Sequence, residues 1–386
     1  MDSELDDQAI AETTTARSAY IHVPFCRHRC GYCNFTLIAG RSDLHAKYIE
    51  ALGQELSLLQ TPRPVDTLFI GGGTPTELSH EHLQQLLKLV CQWFPLTAEG
   101  EFSLEANPAD VDTQLVDLLC AEGVNRVSLG GQSFERSKLK WLERDHNEIC
   151  LQNSFELLSK KMDAVSMDLI FGTPGETVPM WEKDVEQLLY LKPKHISTYG
   201  LTIEKGTSFF GRLQRGEFEL PSEDVQREMY LFARHKLQSQ GYEHYEVSNF
   251  ALSGFHCRHS ETYWLGAPYY AAGPGAARYI DGRREVNHRS TITYLKKIAA
   301  GESVIAESVQ IQGSERAREV LVFALRRLSG ITPAWFKSTT GFDLMTLGGA
   351  QIDRFVQLGL LAWHDDYLRL TEEGLLVSDS IWPELL

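Results

Sequence analysis

The sequence predicts an α/β fold: an incomplete barrel of six strand–helix units, followed by a small C-terminal module that is helical and winged-helix-like. Three observations predict it. Short apolar runs alternate with longer segments of helical period, polar or glycine-rich residues stand just after those runs, and the pattern changes past about residue 307.

The strand-like runs are 20–23, 66–70, 101–104, 126–129, 165–170 and 195–199. Helical spacing covers 44–59, 82–94, 111–121, 151–160 and 181–191. Strands that alternate with helices imply a parallel sheet, because a helix must carry the chain back to the starting edge. Six units fall short of the eight that close a barrel, so a lateral mouth is expected. In such sheets the site forms at the C-terminal strand ends. There the sequence has Gly71-Gly72-Gly73-Thr74, Glu105, Gly130-Gly131-Gln132 and Asp168.

Residues 1–18 lack apolar periodicity and read as a mobile tail before a barrel domain at 19–250. Residues 251–306 are expected to be a connector, irregular and rich in Gly, Pro, Tyr and His around 253–282. The C-terminal domain, 307–386, has amphipathic segments at 315–328 and 351–358, strand-like runs at 360–364 and 367–370, and a last helix from Thr371. Helices followed by a small hairpin resemble a winged helix. Its first helix carries Arg316, Arg318, Arg326 and Arg327, but the helix beside the hairpin has only Arg354. Packing or partner binding is expected of this module rather than DNA reading. No internal repeat of fixed period is present.

The chain has 386 residues, enough for two domains, and its 43% hydrophobic and 23% charged residues are those of a globular protein. The formal net charge of −15 argues against a nucleic-acid binder, which needs a surplus of Lys and Arg. No run approaches the roughly 20 apolar residues of a membrane span, and the N-terminus is acidic where a signal peptide would be basic. The expected location is the cytoplasm, with no transmembrane segment and no nucleic-acid partner. A homodimer is left open.

Three of the seven cysteines, Cys26, Cys30 and Cys33, fall within eight positions directly after the first strand. Clustered thiols in a reducing compartment suit a metal site. Of the others, Cys91 and Cys120 lie among apolar residues and read as inert core thiols. Thiolates select zinc or iron–sulfur clusters. Structural zinc wants four closed ligands, often two C-x2-C pairs, and no second pair follows here; His22 or His28 is the alternative fourth ligand. Three thiols on one loop suit three corners of a cubane whose fourth iron stays open. Gly71-Gly72-Gly73-Thr74-Pro75 after the second strand lets backbone amides approach a ligand, although alone it is equally a tight turn.

The C-x3-C-x2-C spacing resembles the signature of the radical SAM superfamily. Its members hold a 4Fe-4S cluster whose open iron chelates S-adenosylmethionine, and one electron from the cluster cleaves the sulfonium. The run from Gly72 to Pro75 resembles the superfamily's GGTP motif. Further stretches, YIHVPFC, FIGGGTPTEL, RVSLGGQSF with ERDH, SMDLIFGTPGET, HISTYGLTIEKGT, YEVSNFA and LRLTEEGLLVSDSI, resemble the coproporphyrinogen-dehydrogenase-like (HemN/HemW) family over nearly the whole chain. The resemblance implies SAM contacts from Tyr20, Tyr32, Gly72, Gly73, Thr74, Glu105, Gln132, Arg144 and Asp168. It implies that Glu105 takes ribose hydroxyls or the methionine amine, that Arg144 takes a carboxylate, and that Tyr32 stacks on adenine.

Within that family the enzymes are C-x3-C-x2-C-x-C proteins with a longer N-terminal extension. Here Phe35 occupies the place of the extra cysteine, and only 19 residues precede Tyr20. The heme-chaperone branch carries H-N-x-x-Y-W, and this chain has His259, Ser260, Tyr263 and Trp264 in the matching places. The resemblance therefore implies a chaperone that binds heme through His259, Tyr263 and Trp264 and delivers it to hemoproteins such as respiratory enzymes. Cys257 and then His256 are weaker candidates. The bland alternative is a hydrogen-bonded His259 in an irregular connector, with Tyr263 and Trp264 filling an interdomain core. The alternative activity is that of an oxygen-independent coproporphyrinogen III dehydrogenase, which decarboxylates propionate side chains.

Overall fold

Strands β1 (Ser18–Val23), β2 (Val65–Gly72), β3 (Leu96–Ala106), β4 (Arg126–Gln132), β5 (Ala164–Phe171) and β6 (His195–Gly200) pair in parallel in chain order. This is a computed structural model, and it describes residues 15–386. Each strand is followed by a helix that returns the chain, among them His45–Ser57, His80–Trp93, Thr113–Ala121, Glu148–Ser159 and Val178–Leu191. Ser79, Asp112 and Asn147 start three of these helices, each side chain accepting a backbone N–H of the first turn. Such a cap stabilises a helix by about 1 kcal/mol.

Side chains alternate across the sheet with period two. Ile21, Leu68, Ile70, Leu104, Val127, Leu129, Val165, Met167 and Ile196 face outward and share one core with Leu83, Leu87, Leu119, Leu151, Trp181 and Leu188 of the helices. The opposite face is polar. It carries Ser18, Tyr20 and His22 from β1, Thr67 from β2, and Glu101, Ser103 and Glu105 from β3. Arg126 and Ser128 follow from β4, Ser166 and Asp168 from β5, and His195 and Ser197 from β6.

The sheet extends beyond six strands. Strands β7 (Glu243–His244) and β8 (Asn249–Ala251) add an antiparallel edge beside β6, and β9 (Tyr270–Ala272) pairs in parallel with β1. The order is β9-β1-β2-β3-β4-β5-β6-β8-β7, and the edges do not meet, so the barrel is incomplete as predicted. Residues 251–306 are thus structured: besides β9 they hold the helix Arg258–Trp264 and an antiparallel sheet of Ala277–Ile280, Arg283–Asn287 and Ile305–Gln310. Strands of three to six residues are too short to show periodicity, and the partner of β9 lies some 250 positions earlier.

This segment fills the N-terminal end of the barrel. The Glu101 carboxylate accepts the N–H groups of Arg258 (3.2 Å) and His259 (3.0 Å), which start the helix, while Arg126 lies 3.5 Å from Glu101 and donates to the carbonyls of Phe255 and His256. His195 accepts or donates to Tyr245 Oη at 2.7 Å and Ser166 Oγ at 2.7 Å. Glu55 anchors the next stretch, accepting from Gly273 N, Asn287 Nδ2 and Tyr294 Oη.

The C-terminal helices Gly313–Leu325, Pro333–Thr340 and Leu344–Gln357 and the hairpin of Leu361–His364 with Tyr367–Leu370 surround a second core of Leu321, Phe336, Ile352, Phe355, Leu368 and Trp382. The arginines of the first helix point into packing: Arg318 donates to the carbonyls of Leu385 and Leu347, Arg316 stacks on Tyr279, and Arg326 stacks on Trp264. Of the tail read at 1–18, residues 1–14 lie outside the described residues; Arg17 pairs with Asp66 at 2.8 Å, and Ser18 opens β1.

Glu101→Ala leaves Arg126 buried without its counter-charge and two helix donors unpaired, which should cost about 3–5 kcal/mol. Urea denaturation measures it; a loss under about 1 kcal/mol would show that the barrel floor does not depend on this carboxylate.

Candidate functional site

The cysteine loop begins where β1 ends. Phe25–Cys26 pairs in parallel with Ile38–Ala39, so the loop between them is closed at its neck, with Ile38 N donating to Pro24 O and Gly40 N to Cys26 O. Cys33 N donates to Cys30 O at 3.0 Å, a tight turn that faces both side chains into one region. Other elements grip the loop from outside. Gly31 N donates to Glu143 Oε2 at 2.8 Å, Phe209 N donates to Gly31 O at 2.9 Å, and Arg27 pairs with Asp110 and Asp145. A Cβ at Gly31 would lie 2.0 Å from the Phe209 ring.

The glycine run after β2 locks onto the same loop. Gly73 N donates to Val23 O (2.8 Å) and Thr74 N to Phe25 O (2.6 Å), and a Cβ at Gly73 would meet those two carbonyl oxygens at 2.7 and 2.6 Å. Gly72 has φ of +105° and lies against the His22 ring. Thr74 Oγ1 is 3.3 Å from Cys26 Sγ, and Gly72 N donates to Glu105 Oε2 at 2.8 Å. Close approach is required here, chiefly to the protein's own cysteine loop.

Burial pushes the thiols up, Cys26 to about 12, with Cys30 and Cys33 raised for the same reason. Without a metal they are neutral, and metal binding must release their protons. Among the described residues no three His, Cys, Asp or Glu side chains converge on a single ion. A multi-iron cluster instead asks each thiolate to reach its own iron.

Polar groups with unmet demand surround the loop. Arg144 Nη2 donates to Asn107 Oδ1 (3.0 Å) and Gly130 O (2.9 Å), yet its Nε is buried with no partner. Burial raises Glu105 to about 7 and Asp168 to about 6, the latter although Ser128 Oγ donates to it. Gln132 sits at φ +62° beyond a bulge in β4, and Tyr32 packs beside Ile170 and Leu201. Tyr20 Oη donates to His22 Nδ1 at 3.0 Å, because the other nitrogen must carry the proton it gives to Thr36 O at 2.6 Å. A guanidinium N–H lacking an acceptor and two desolvated carboxyls suit a zwitterionic amino acid joined to a sugar, which is the donor set SAM requires.

The three residues aligned with the heme motif do not face one point. His259 is 2% exposed at the barrel floor, stacked on Phe69, with Nδ1 2.9 Å from Thr67 Oγ1 and Nε2 2.9 Å from Tyr263 Oη. Burial lowers its pKa to about 3. Trp264 lies under Arg326 of the C-terminal domain, its Nε1 unpartnered. Tyr263 reaches a cavity of about 470 Å³ between the cysteine loop and the small antiparallel sheet, lined also by Tyr20, Phe35, Tyr269, Val286 and Arg289. Cys257 is buried against Glu101, and His256 pairs with Glu243. The sequence reading missed Glu143, Phe209 and Arg289. Glu143 stands in the ERDH stretch and Phe209 just after the helix cap Thr207, but only the folded loop shows what they hold.

An open six-stranded parallel barrel with a three-cysteine loop after β1 is a radical SAM fold. The chain matches the Radical SAM superfamily over residues 20–188 and the HemN C-terminal domain over 311–377. It is 36% identical to heme chaperone HemW of Lactococcus lactis, over 96% of this chain and 97% of that protein, and 34% identical to heme chaperone HemW of Bacillus subtilis, over 96% and 99%. It superposes on the solved coproporphyrinogen III oxidase (HemN) of Escherichia coli with a TM-score of 0.84, covering 98% of this chain and 92% of that one at 21% identity. The chain belongs to the HemW family of the radical SAM superfamily. That superfamily implies a 4Fe-4S cluster and SAM. No helix among the described residues is long and apolar enough to cross a membrane.

Glu105 should report its own desolvation. Its folded pKa lies above its ordinary value of 4.5, so its contribution to stability is present below pH 4.5 and lost as pH rises through about 7. In protein without cofactors, Glu105→Gln should therefore be neutral near about pH 4 and more stable than wild type by roughly 1–3 kcal/mol at about pH 8, the side chain being only half-buried. A gain that does not grow with pH in denaturant titrations would contradict this.

Proposed function

We propose that this protein is a heme chaperone of the cytoplasm, which binds heme and passes it to hemoproteins such as respiratory enzymes. Cys26, Cys30 and Cys33 hold the 4Fe-4S cluster. Arg144 Nε takes the SAM carboxylate, Glu105 and Asp168 take its amine and ribose hydroxyls, and Tyr32 covers the adenine. When bound, the cluster supplies one electron at a time. The protein's own residues fix the cluster loop from several sides and bury Cys30, leaving Cys26 and Cys33 partly exposed.

The observation that carries the heme reading is the state of His259. Thr67 gives its hydroxyl proton to Ser18 Oγ at 2.8 Å, so its oxygen accepts Nδ1–H of His259. The imidazole is then the tautomer that keeps a lone pair on Nε2, and a neutral histidine anchored through its other nitrogen is what an axial iron ligand needs. Tyr263 Oη donates to that lone pair and also borders the cavity. Rotation of Tyr263 uncovers Nε2 toward the cavity, and iron takes the place of the hydroxyl proton. Trp264 holds the Arg258–Trp264 helix against Arg326, and so supports the ligand without touching heme. Relatives named heme chaperone HemW, matched end to end, support the same reading.

Heme titration of the anaerobically reconstituted protein should show stoichiometric binding that His259→Ala abolishes. Tyr263→Phe, which removes the competing hydroxyl, should bind heme as tightly as wild type or more tightly. If Tyr263→Phe loses heme as fully as His259→Ala, the ligand is the tyrosine. Coproporphyrinogen III with SAM and reductant should give no decarboxylated product; efficient decarboxylation would contradict the chaperone. In Cys30→Ser, iron and sulfide should fall well below wild type, and unchanged content would remove the cluster assignment.

A further inference from the structure

The cavity beside the cysteine loop has walls of two kinds. One side is apolar and aromatic. Ala277 and Val286 are a cross-strand pair of small residues, and Tyr263 and Tyr269 meet edge to face at 4.7 Å between ring centres. Facing them are Tyr20 of β1 and Phe35 at the tip of the cysteine loop, an aromatic ring left 67% exposed. An exposed aromatic ring beside an apolar slot adds to the apolar surface on which a flat ligand can pack. The volume of about 470 Å³ falls within the roughly 300–1,000 Å³ range of small-molecule sites.

The other feature is Arg289. It is an exposed side chain oriented by two hydrogen bonds, Nε donating to Thr36 Oγ1 at 3.2 Å and Nη2 to Asn34 O at 2.7 Å, and both acceptors are neutral. Among the described residues no carboxylate forms an ion pair with it. Of the arginines on the small sheet, Arg278 is paired with Glu285 and Arg284 with Glu319, while Arg283 donates to Ser308 Oγ. In a chain of net charge −15, an oriented guanidinium without a counter-ion at the edge of an aromatic slot has the form of an anion site. The other titratable groups lining the cavity are neutral: burial and the guanidinium lower His22, and burial raises Tyr20, Tyr263 and Tyr269.

We propose that this cavity is the seat of the heme macrocycle and that Arg289 binds one of its carboxylates. The inference rests on the heme reading above and extends it from the iron ligand to the porphyrin plane and its acidic edge. The macrocycle lies between Phe35 and the Ala277–Val286 face, Tyr263 stands between iron and His259, and a carboxylate at the rim meets Arg289. The wall formed by Asn34, Phe35 and Thr36 is continuous with the cluster loop, so heme and cluster are bound on two sides of one segment.

The test is a titration of wild type, Arg289→Gln, Arg289→Lys and Val286→Trp with heme and with heme dimethyl ester, which has no free carboxylate. Wild type should prefer heme over the ester by roughly tenfold or more. Arg289→Gln should lose that preference by weakening heme alone, Arg289→Lys should retain part of it, and Val286→Trp should weaken both ligands. An unchanged preference in Arg289→Gln, or an equal loss for both ligands, would overturn the carboxylate contact. Heme binding lost in His259→Ala but intact in Val286→Trp would leave the chaperone reading standing and remove this seat. No heme bound by wild type would remove both. A SAM titration completes the set: if Arg289→Gln weakens SAM and leaves heme unchanged, the carboxylate at Arg289 is the cofactor's, and the proposal fails.

Discussion

A parallel barrel that stops at six strands has an interior it must fill itself, and here a buried carboxylate organises the filling. Glu101, neutralised by Arg126, gathers the backbone N–H groups of Arg258 and His259 and so seats a helix from far along the chain in the floor of the barrel. Everything above depends on that plug. It places His259 between Phe69 and Thr67, sends Tyr263 toward the cavity, and returns the chain so that β9 can lengthen the sheet beside β1. A buried ion pair adds little net stability over an apolar pair of the same volume, but removing one partner strands the other charge, so the two must stay in register.

The upper end of the barrel has the opposite character. Its groups are incompletely satisfied: thiols held neutral by burial, carboxyls raised by desolvation, and a guanidinium nitrogen without an acceptor. Such groups are costly in isolation and become favourable when a charged ligand arrives. The buried trio of Lys138, Glu176 and Asp184 ties the loops after β4 and β5 together beneath this region, with Lys138 Nζ 2.5 Å from Glu176 and 3.0 Å from Asp184. The segment between Gln132 and Arg144 is thus anchored through Lys138 to the stretch that follows β5.

Much of this was legible in the sequence. The six strands could be read because each is flanked by a helix of clear period, and the cysteine spacing marked the site at once. The region 251–306 could not be read, because its strands are a few residues long and its meaning lies in partners such as Glu55 and Glu101 in the first third of the chain. The heme motif was half legible. Resemblance to the family motif singled out His259, Tyr263 and Trp264, but not that Trp264 faces Arg326 or that the His259 tautomer depends on Thr67 and Ser18. Arg289 carried no signal at all, since an arginine's lack of a counter-ion is visible only once its neighbours are in place.

In the function proposed for this chain, a radical SAM fold holds and releases heme. The direct measurement is transfer: heme-loaded, cluster-reconstituted protein is mixed with a heme-free acceptor hemoprotein, and the heme absorption band and the SAM cleavage product 5′-deoxyadenosine are followed together. Heme should move to the acceptor with no stoichiometric production of 5′-deoxyadenosine. Heme that stays on the donor, or transfer that requires one SAM cleaved for each heme moved, would contradict the account.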